Sequence, residues 1–126
     1  MKLIVSQKSE QPIYEQVYSQ LVSQILSGAL SPDFCLPSIR GVAAELNISV
    51  ITVKNAYDRL ERDGFIYTRA GKGCFVCRDV SGLKLKRDNT AAGKLAPGVE
   101  YCKSIGLTED EIARLTHELY LREIKL

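Results

Sequence analysis

Tryptophan is absent from the chain, and histidine and methionine occur once each. The single histidine, His117, stands beside Glu118 with no motif that would supply a second catalytic partner. Hydrolytic triads and zinc sites need several converging groups, and no such set assembles along this sequence. His117 therefore reads as a surface or interface residue, and neither catalysis nor a cofactor is expected. Gly71-Lys72-Gly73 lacks the spacing, and the following Ser or Thr, of a phosphate-binding loop. No apolar run approaches the roughly 20 residues that cross a bilayer. Nor does a basic segment lead into an apolar stretch and a small-residue cleavage site. A cytoplasmic location, with no membrane partner, is the expectation.

Cysteine is sparse, at positions 35, 74, 77 and 102. Disulfide frameworks belong to small secreted chains with poor cores, and neither condition applies. Cys74 and Cys77 form a lone C-x-x-C inside Gly73-Cys74-Phe75-Val76-Cys77, which reads as a strand. Residues three apart on a strand point to opposite faces, so chelation by this pair is awkward. Small packing residues fit better than a metal or redox site. Net charge is also low, at +2, but it is unevenly spread. Residues 1–79 carry nine basic and eight acidic side chains, residues 80–98 four and one, and residues 99–126 four and six. The middle is basic and the tail acidic. The basic stretch reads either as a linker beside a nucleic-acid-reading unit or simply as a solvated segment.

What is present is helical periodicity. Residues 1–10 read as a loose, polar arm with a short extended start at Leu3-Ile4-Val5. Pro12 suits the first position of a helix. Ile13, Val17, Leu21 and Ile25 recur every four residues, flanked by Tyr14, Tyr18, Val22 and Leu26, and Gly28 suits a left-handed cap. Leu30-Ser31-Pro32-Asp33 reads as a turn. Ser38 caps a second helix with Val42, Ala43 and Leu46 inward, and Asn47-Ile48-Ser49 is a short turn. Ser49 caps a third helix with Val53, Ala56, Tyr57 and Leu60 inward, closed by Gly64. Phe65–Arg69 and Cys74–Cys77 read as strands joined by a Gly-rich loop. Residues 79–94 lack periodicity. Pro97 can open a helix carrying Val99, Cys102 and Ile105, ended by Gly106. Thr108-Glu109-Asp110-Glu111 is a capping box for a last helix with Ile112, Leu115, Leu119 and Ile124.

Two short helices joined by a tight turn, followed by a hairpin with a glycine-rich tip, make a winged helix-turn-helix. The helix from Ser49 would then be the one that enters a major groove. Its outward residues are Ser49, Val50, Ile51, Thr52, Lys54 and Asn55, and no acid occurs from Leu46 to Tyr57. Acids normally gather at a helix start, because they offset the macrodipole, and their absence leaves that end free to face phosphate. Lys54 and Asn55 suit base edges, and Val50 or Ile51 can meet a thymine methyl. In the wing, Arg69 and Lys72 flank Gly71 and Gly73, which suits close backbone contact. Arg40 reads as a phosphate clamp or as part of a surface ion pair. Each of these features also has an ordinary surface explanation when taken alone.

From Gln11 to Val76 the chain resembles the GntR family of bacterial transcriptional regulators. The matching residues run in order through Pro12-Ile13-Tyr14, Gly28-Ala29-Leu30, Leu36-Pro37-Ser38-Ile39-Arg40, Ala43-Ala44-Glu45-Leu46 and Thr52-Val53. They continue through Ala56-Tyr57, Leu60-Glu61, Gly64-Phe65-Ile66 and Gly71-Lys72-Gly73. The resemblance implies DNA contact by Arg40, by Ser49, Val50, Ile51, Thr52 and Lys54, and by Arg69, Gly71, Lys72 and Gly73; Asn55, from the outward face of the helix, and Ser38 complete the candidate DNA-binding set. It also has gaps. The family's Pro-Gly turn is here Pro32-Asp33, the polar residues after it are Phe34-Cys35, and Val50 stands where an arginine is common. The last change points to a different operator preference.

About 50 residues follow Val76. That resembles the short-tailed YtrA-type subgroup, whose C-terminal helix pair dimerises, which would place Val99, Cys102, Ile105, Ile112, Leu115 and Leu119 at the dimer contact. Packing of that pair back onto its own DNA-binding domain is the alternative. The expected fold is α+β, mostly α: a winged helix-turn-helix over 1–79 (three helices plus a β-hairpin), a linker over 80–94, and a two-helix dimerisation tail over 95–126. The expected partners are a double-stranded DNA operator, a second copy of the chain, and a small-molecule effector of unknown identity. The expected function is a dimeric repressor on a palindromic operator. A winged helix that binds protein or RNA is the other reading, since fold alone does not set function.

Overall fold

The computed structural model describes residues 1–122. Ile124, expected on the last helix, lies outside the described residues. In chain order the elements are α1 (Ile13–Ser27), α2 (Ile39–Leu46), α3 (Val50–Arg62), β1 (Ile66–Arg69), β2 (Gly73–Val76), α4 (Val80–Ser104) and α5 (Glu109–Leu121). They divide between two compact units, Met1–Lys84 and Leu85–Leu126, with the boundary inside α4.

The first unit has one core. Val17, Leu21 and Ile25 of α1, Val42 of α2, Val53, Ala56 and Leu60 of α3, and Val76 of β2 are sealed from solvent. Each aliphatic side chain of this size contributes about 1.5–3 kcal/mol on burial, so the every-fourth-residue stripe of α1 is enough to fix it across α3. The ends of the elements are set locally. Gly28, at φ 85°, ends α1 in the left-handed region. The hydroxyl of Ser38 accepts from the Gly41 N–H at 3.0 Å, and that of Ser49 accepts from the Thr52 N–H at 3.1 Å. These satisfy amides that the first turn of a helix leaves without partners.

The wing is broader than a hairpin. β1 and β2 pair antiparallel, Ile66 with Val76 and Arg69 with Gly73. The segment after α1 then lies along the other edge of β2. The Val76 N–H donates to the Phe34 carbonyl at 2.9 Å and the Leu36 N–H to the Cys74 carbonyl at 2.8 Å. Asp33 starts this segment at φ 64°, a conformation that ordinarily favours glycine. It is held there by the Tyr67 hydroxyl, which donates at 2.6 Å, and by Arg78 Nε at 2.9 Å. Both partners lower the Asp33 carboxyl below its ordinary value, the Tyr67 hydrogen bond most.

The N-terminal arm is docked, not loose. Met1, Leu3 and Val5 pack against the core, while Lys2, Ile4 and Ser6 face outward. The backbone of the outward residues is met by three glutamines one helical turn apart on α1. Gln24 Nε2 donates to the Lys2 carbonyl at 2.7 Å. Gln20 Oε1 accepts from the Ile4 N–H at 2.9 Å, and Gln16 Oε1 accepts from the Ser6 N–H at 2.8 Å. Carboxamides each offer a donor and an acceptor, so they stand in for a neighbouring strand.

Residues 80–94, expected to be a linker with helix only towards its end, are helical throughout and form the first part of α4. Pro97, expected to open a helix, lies inside that helix. Its start was hidden in Asp79, whose carboxylate accepts from the Gly82 N–H at 2.9 Å. No residue of α4 is fully buried. The helix therefore leaves no continuous apolar stripe in the sequence, although Val80 and Leu83 at its start pack against the core. α5 begins as expected, with Thr108 and Glu111 closing a reciprocal capping box.

Candidate nucleic-acid interface

α2 and α3 are locked together before any partner arrives. Asn47 takes a left-handed conformation at φ 55° and the Ile48 N–H donates to the Ala43 carbonyl at 3.0 Å, which turns the chain sharply between the helices. The Tyr57 hydroxyl then reaches from α3 to the Pro37 carbonyl at 2.8 Å. Burial, with the nearby Cys74 and Cys35, pushes the Tyr57 phenol well above its ordinary value. It stays a neutral donor. On the far side of α3, Tyr18 donates to Asp63 at 2.6 Å and lies under the Arg59 guanidinium, 4.0 Å from the ring centroid. Burial, followed by the Asp63 hydrogen bond, raises the Tyr18 phenol to about 12.

The starts of α2 and α3 carry no acidic residue in their first turns. The first turn of α5 carries three: Glu109, Asp110 and Glu111. The positive end of the macrodipole is thus neutralised on α5 and left open on the two helices of the helix-turn-helix.

The exposed face of α3 starts with Ser49, whose hydroxyl lies 2.7 Å from that of Thr52. Thr52 is half-buried, so the cap occupies the hydroxyl that its polarity seemed to offer outward. Ile51 is 69% exposed and Val50 38% exposed, so both present apolar surface at the start of the helix. Lys54 and Asn55 are exposed in the next turn. Lys54 is engaged with Asp58 at 2.7 Å, a pair the sequence reading passed over although its spacing of four residues advertises it. Asn55 and Asp58 border a polar depression of about 450 Å³ with Tyr14, Arg59 and Arg62.

On the other flank of α3, the structure brings together residues that the sequence suggested separately. Ser38 and Arg40 at the start of α2 and Lys72 and Gly73 in the wing line one depression of about 530 Å³, with Tyr57, Cys35 and Cys74 on its walls. Arg69, Gly71 and Lys72 are exposed at the wing tip, where the Lys72 N–H closes a turn onto the Arg69 carbonyl at 2.9 Å. Gly71 at φ 75° and Gly73 at φ 114° carry the turn. Arg40 and Lys72 thus share one depression beside the start of α2, whose first turn carries no acid. Among the described residues no group of His, Cys, Asp or Glu is placed to hold a metal ion.

This arrangement matches a known family of proteins. Residues 13–76 match the model for bacterial regulatory proteins of the gntR family. The chain belongs to the GntR family. It is 33% identical over 119 residues to the HTH-type transcriptional regulator Rv1152 of Mycobacterium tuberculosis, covering 91% of this chain and 92% of that protein. It is also similar to the structure of YtrA from Sulfolobus acidocaldarius, a GntR-family transcription factor. There the TM-score is 0.57 at 30% identity, over 71% of this chain and 97% of that one. A third similarity is to the DNA-binding domain of AraR in complex with operator ORX1. That match has a TM-score of 0.53 at 30% identity, over 60% of this chain and 93% of that one. The family is one of transcriptional regulators, not enzymes.

The tail of this GntR-family regulator keeps its apolar residues accessible. Ile105 is 58% exposed, Leu119 47%, Leu115 41% and Val99 39%, and Cys102 and Ile112 are half-buried. The end of α4 and the start of α5 share a depression of about 510 Å³ lined by Val99, Lys103, Leu107, Glu109, Ile112 and Ala113. No helix of the described residues is long and apolar enough to cross a membrane.

Proposed function

We propose that this GntR-family regulator is a dimeric repressor that binds a palindromic DNA operator, reading each half-site with α3 and gripping the backbone with Arg40 and the wing. The observation that carries the reading is the single depression shared by Arg40 and Lys72, beside two helix N-termini left free of acids. Phosphate takes that seat, while Ile51, Lys54 and Asn55 face base edges and Val50 offers a methyl-sized apolar contact. Ser38, Ser49 and Thr52 hold the helix starts against the backbone, and Arg69, Gly71 and Gly73 let the wing approach the flanking groove. The AraR domain in its operator complex supports this docking by likeness.

The tail supplies the second copy. Val99, Cys102, Ile105, Ile112, Leu115 and Leu119 form the contact, since Val99, Ile105, Leu115 and Leu119 are exposed in one chain and Cys102 and Ile112 only half-buried. A two-fold dimer matches a two-fold operator, with half-sites about 34 Å apart or a multiple of that spacing. Bound there, the protein represses by blocking polymerase.

The test is a gel-shift series on the DNA upstream of the protein's own gene, across salt and against scrambled competitor, with mass measured in solution. The expected result is a dimer, a competitor-resistant shift and a palindromic footprint. A folded dimer that gives no specific shift at low salt would favour the protein- or RNA-binding reading. A monomer that shifts specifically would remove the tail contact from the scheme.

A further inference from the structure

Three acids return along α3 after its acid-free start, and each is tied to a partner. Glu61 accepts from Thr68 of β1, and Asp63 accepts from Tyr18 of α1. Both of those contacts join α3 to another element. Asp58 is different, because its partner is Lys54 on the same exposed face, 2.7 Å away. The pair does little for the helix. Its cation lies toward the positive end of the macrodipole and its anion toward the negative end, which is the less favourable order for such a pair. Both side chains are more than half exposed, at 59% and 58%, so the pair contributes little to stability. A carboxylate on a surface that meets phosphate is also a cost to binding in general.

We infer that Asp58 is a specificity-determining positioning residue: it holds the Lys54 ammonium to one direction along α3 and suppresses binding to DNA of the wrong sequence. The inference rests on α3 being the reading helix, as proposed above. A lysine without this partner is a mobile charge that can reach any nearby phosphate. Tethered by Asp58, it offers its remaining N–H groups to acceptors at one place only, such as the O6 and N7 of a guanine. The carboxylate meanwhile repels backbone that is out of register. Loss of the tether should therefore strengthen binding where sequence does not matter and weaken discrimination where it does. A carboxylate that only braced the helix would, on removal, strengthen binding to both kinds of DNA alike and leave the discrimination unchanged.

The experiment uses the whole chain and two duplexes of equal length: one selected by the wild-type protein from a randomised pool, and one scrambled. Binding by fluorescence anisotropy across salt is compared for wild type, Asp58→Asn, Asp58→Glu and Lys54→Ala, with helicity checked by circular dichroism. Asp58→Asn is expected to bind the scrambled duplex several-fold more tightly and to steepen its salt slope by about 0.9 per protomer. The ratio between selected and scrambled duplex should fall about fivefold, the lower end of what one good base contact discriminates. Asp58→Glu should restore most of the ratio. An unchanged ratio in Asp58→Asn, alongside a reduced one in Lys54→Ala, would overturn the role of Asp58 and leave the docking intact. Unchanged binding in Lys54→Ala as well would remove α3 from the groove, and both readings would fall together.

Discussion

Removing Arg40 or Lys72 should change the salt dependence of binding more than its sequence preference. Both side chains line the same depression, one from the start of α2 and one from the wing. Each cation that neutralises a phosphate contributes about 0.9 to the slope of log K against log salt. Arg40→Ala or Lys72→Ala should therefore lower that slope by about 0.9 per protomer, or about 1.8 in a dimer. At 0.15 M salt this corresponds to about a fivefold loss per protomer and about a thirtyfold loss per dimer, taking 1 M as the point where the electrostatic contribution vanishes. The loss should be the same on operator and on scrambled DNA, because phosphate carries no sequence. Asn55→Ala provides the contrast: a loss on operator only, with the slope unchanged. Anisotropy titrations from 50 to 300 mM salt read both quantities. A fall in operator preference with no change of slope in Arg40→Ala would refute the placement of that depression on the backbone.

Two further predictions concern the scaffold. The Glu111 carboxyl is held below its ordinary 4.5, chiefly by the Thr108 N–H and then by its hydroxyl. A lowered folded value stabilises α5 above the ordinary 4.5, and that contribution disappears as pH falls through the folded value. Circular dichroism between pH 6 and 3 should show α5 fraying in the wild type. Glu111→Gln, which keeps the capping geometry without a titrating group, should lose that acid-dependent step. Tyr57→Phe removes the donor to Pro37 and leaves that carbonyl short of a partner, at a cost of about 1 kcal/mol. Thermal melts should show a Tm several degrees lower with an unchanged fold, and no change would mean that solvent replaces the phenol.

Those elements that bury a face, or end on a cap, were legible from residue order. The four-residue repeat of α1, the serines at the starts of α2 and α3, the glycine-rich wing tip and the Thr108 box all lie where the sequence placed them. What escaped was governed by contacts between distant residues or by no burial at all. The extended segment Phe34–Leu36 is held because β2 offers it an edge, and its entry angle depends on Tyr67 and Arg78 holding Asp33. No local pattern encodes that. α4 has the opposite problem: without a buried residue it has no periodicity to detect, and a proline in its interior argued against a helix. At the interface, Arg40 and Lys72 were each visible as cations, but their meeting in one depression required the fold. Thr52 looked outward by polarity and is half-buried, because the cap consumes its hydroxyl.

The three glutamines of α1 recognise the arm by its backbone alone. They touch the amides and carbonyls of Lys2, Ile4 and Ser6 and leave the side chains of those residues in solvent. Selection can therefore rewrite every second position of the arm without loosening it, so long as Met1, Leu3 and Val5 remain apolar. An alignment of relatives would show this segment as half variable and half constrained, and would easily mistake it for a dispensable leader. The constraint would sit instead in the spacing of Gln16, Gln20 and Gln24, where exchange of one carboxamide for a charged side chain of similar size would release the strand it holds.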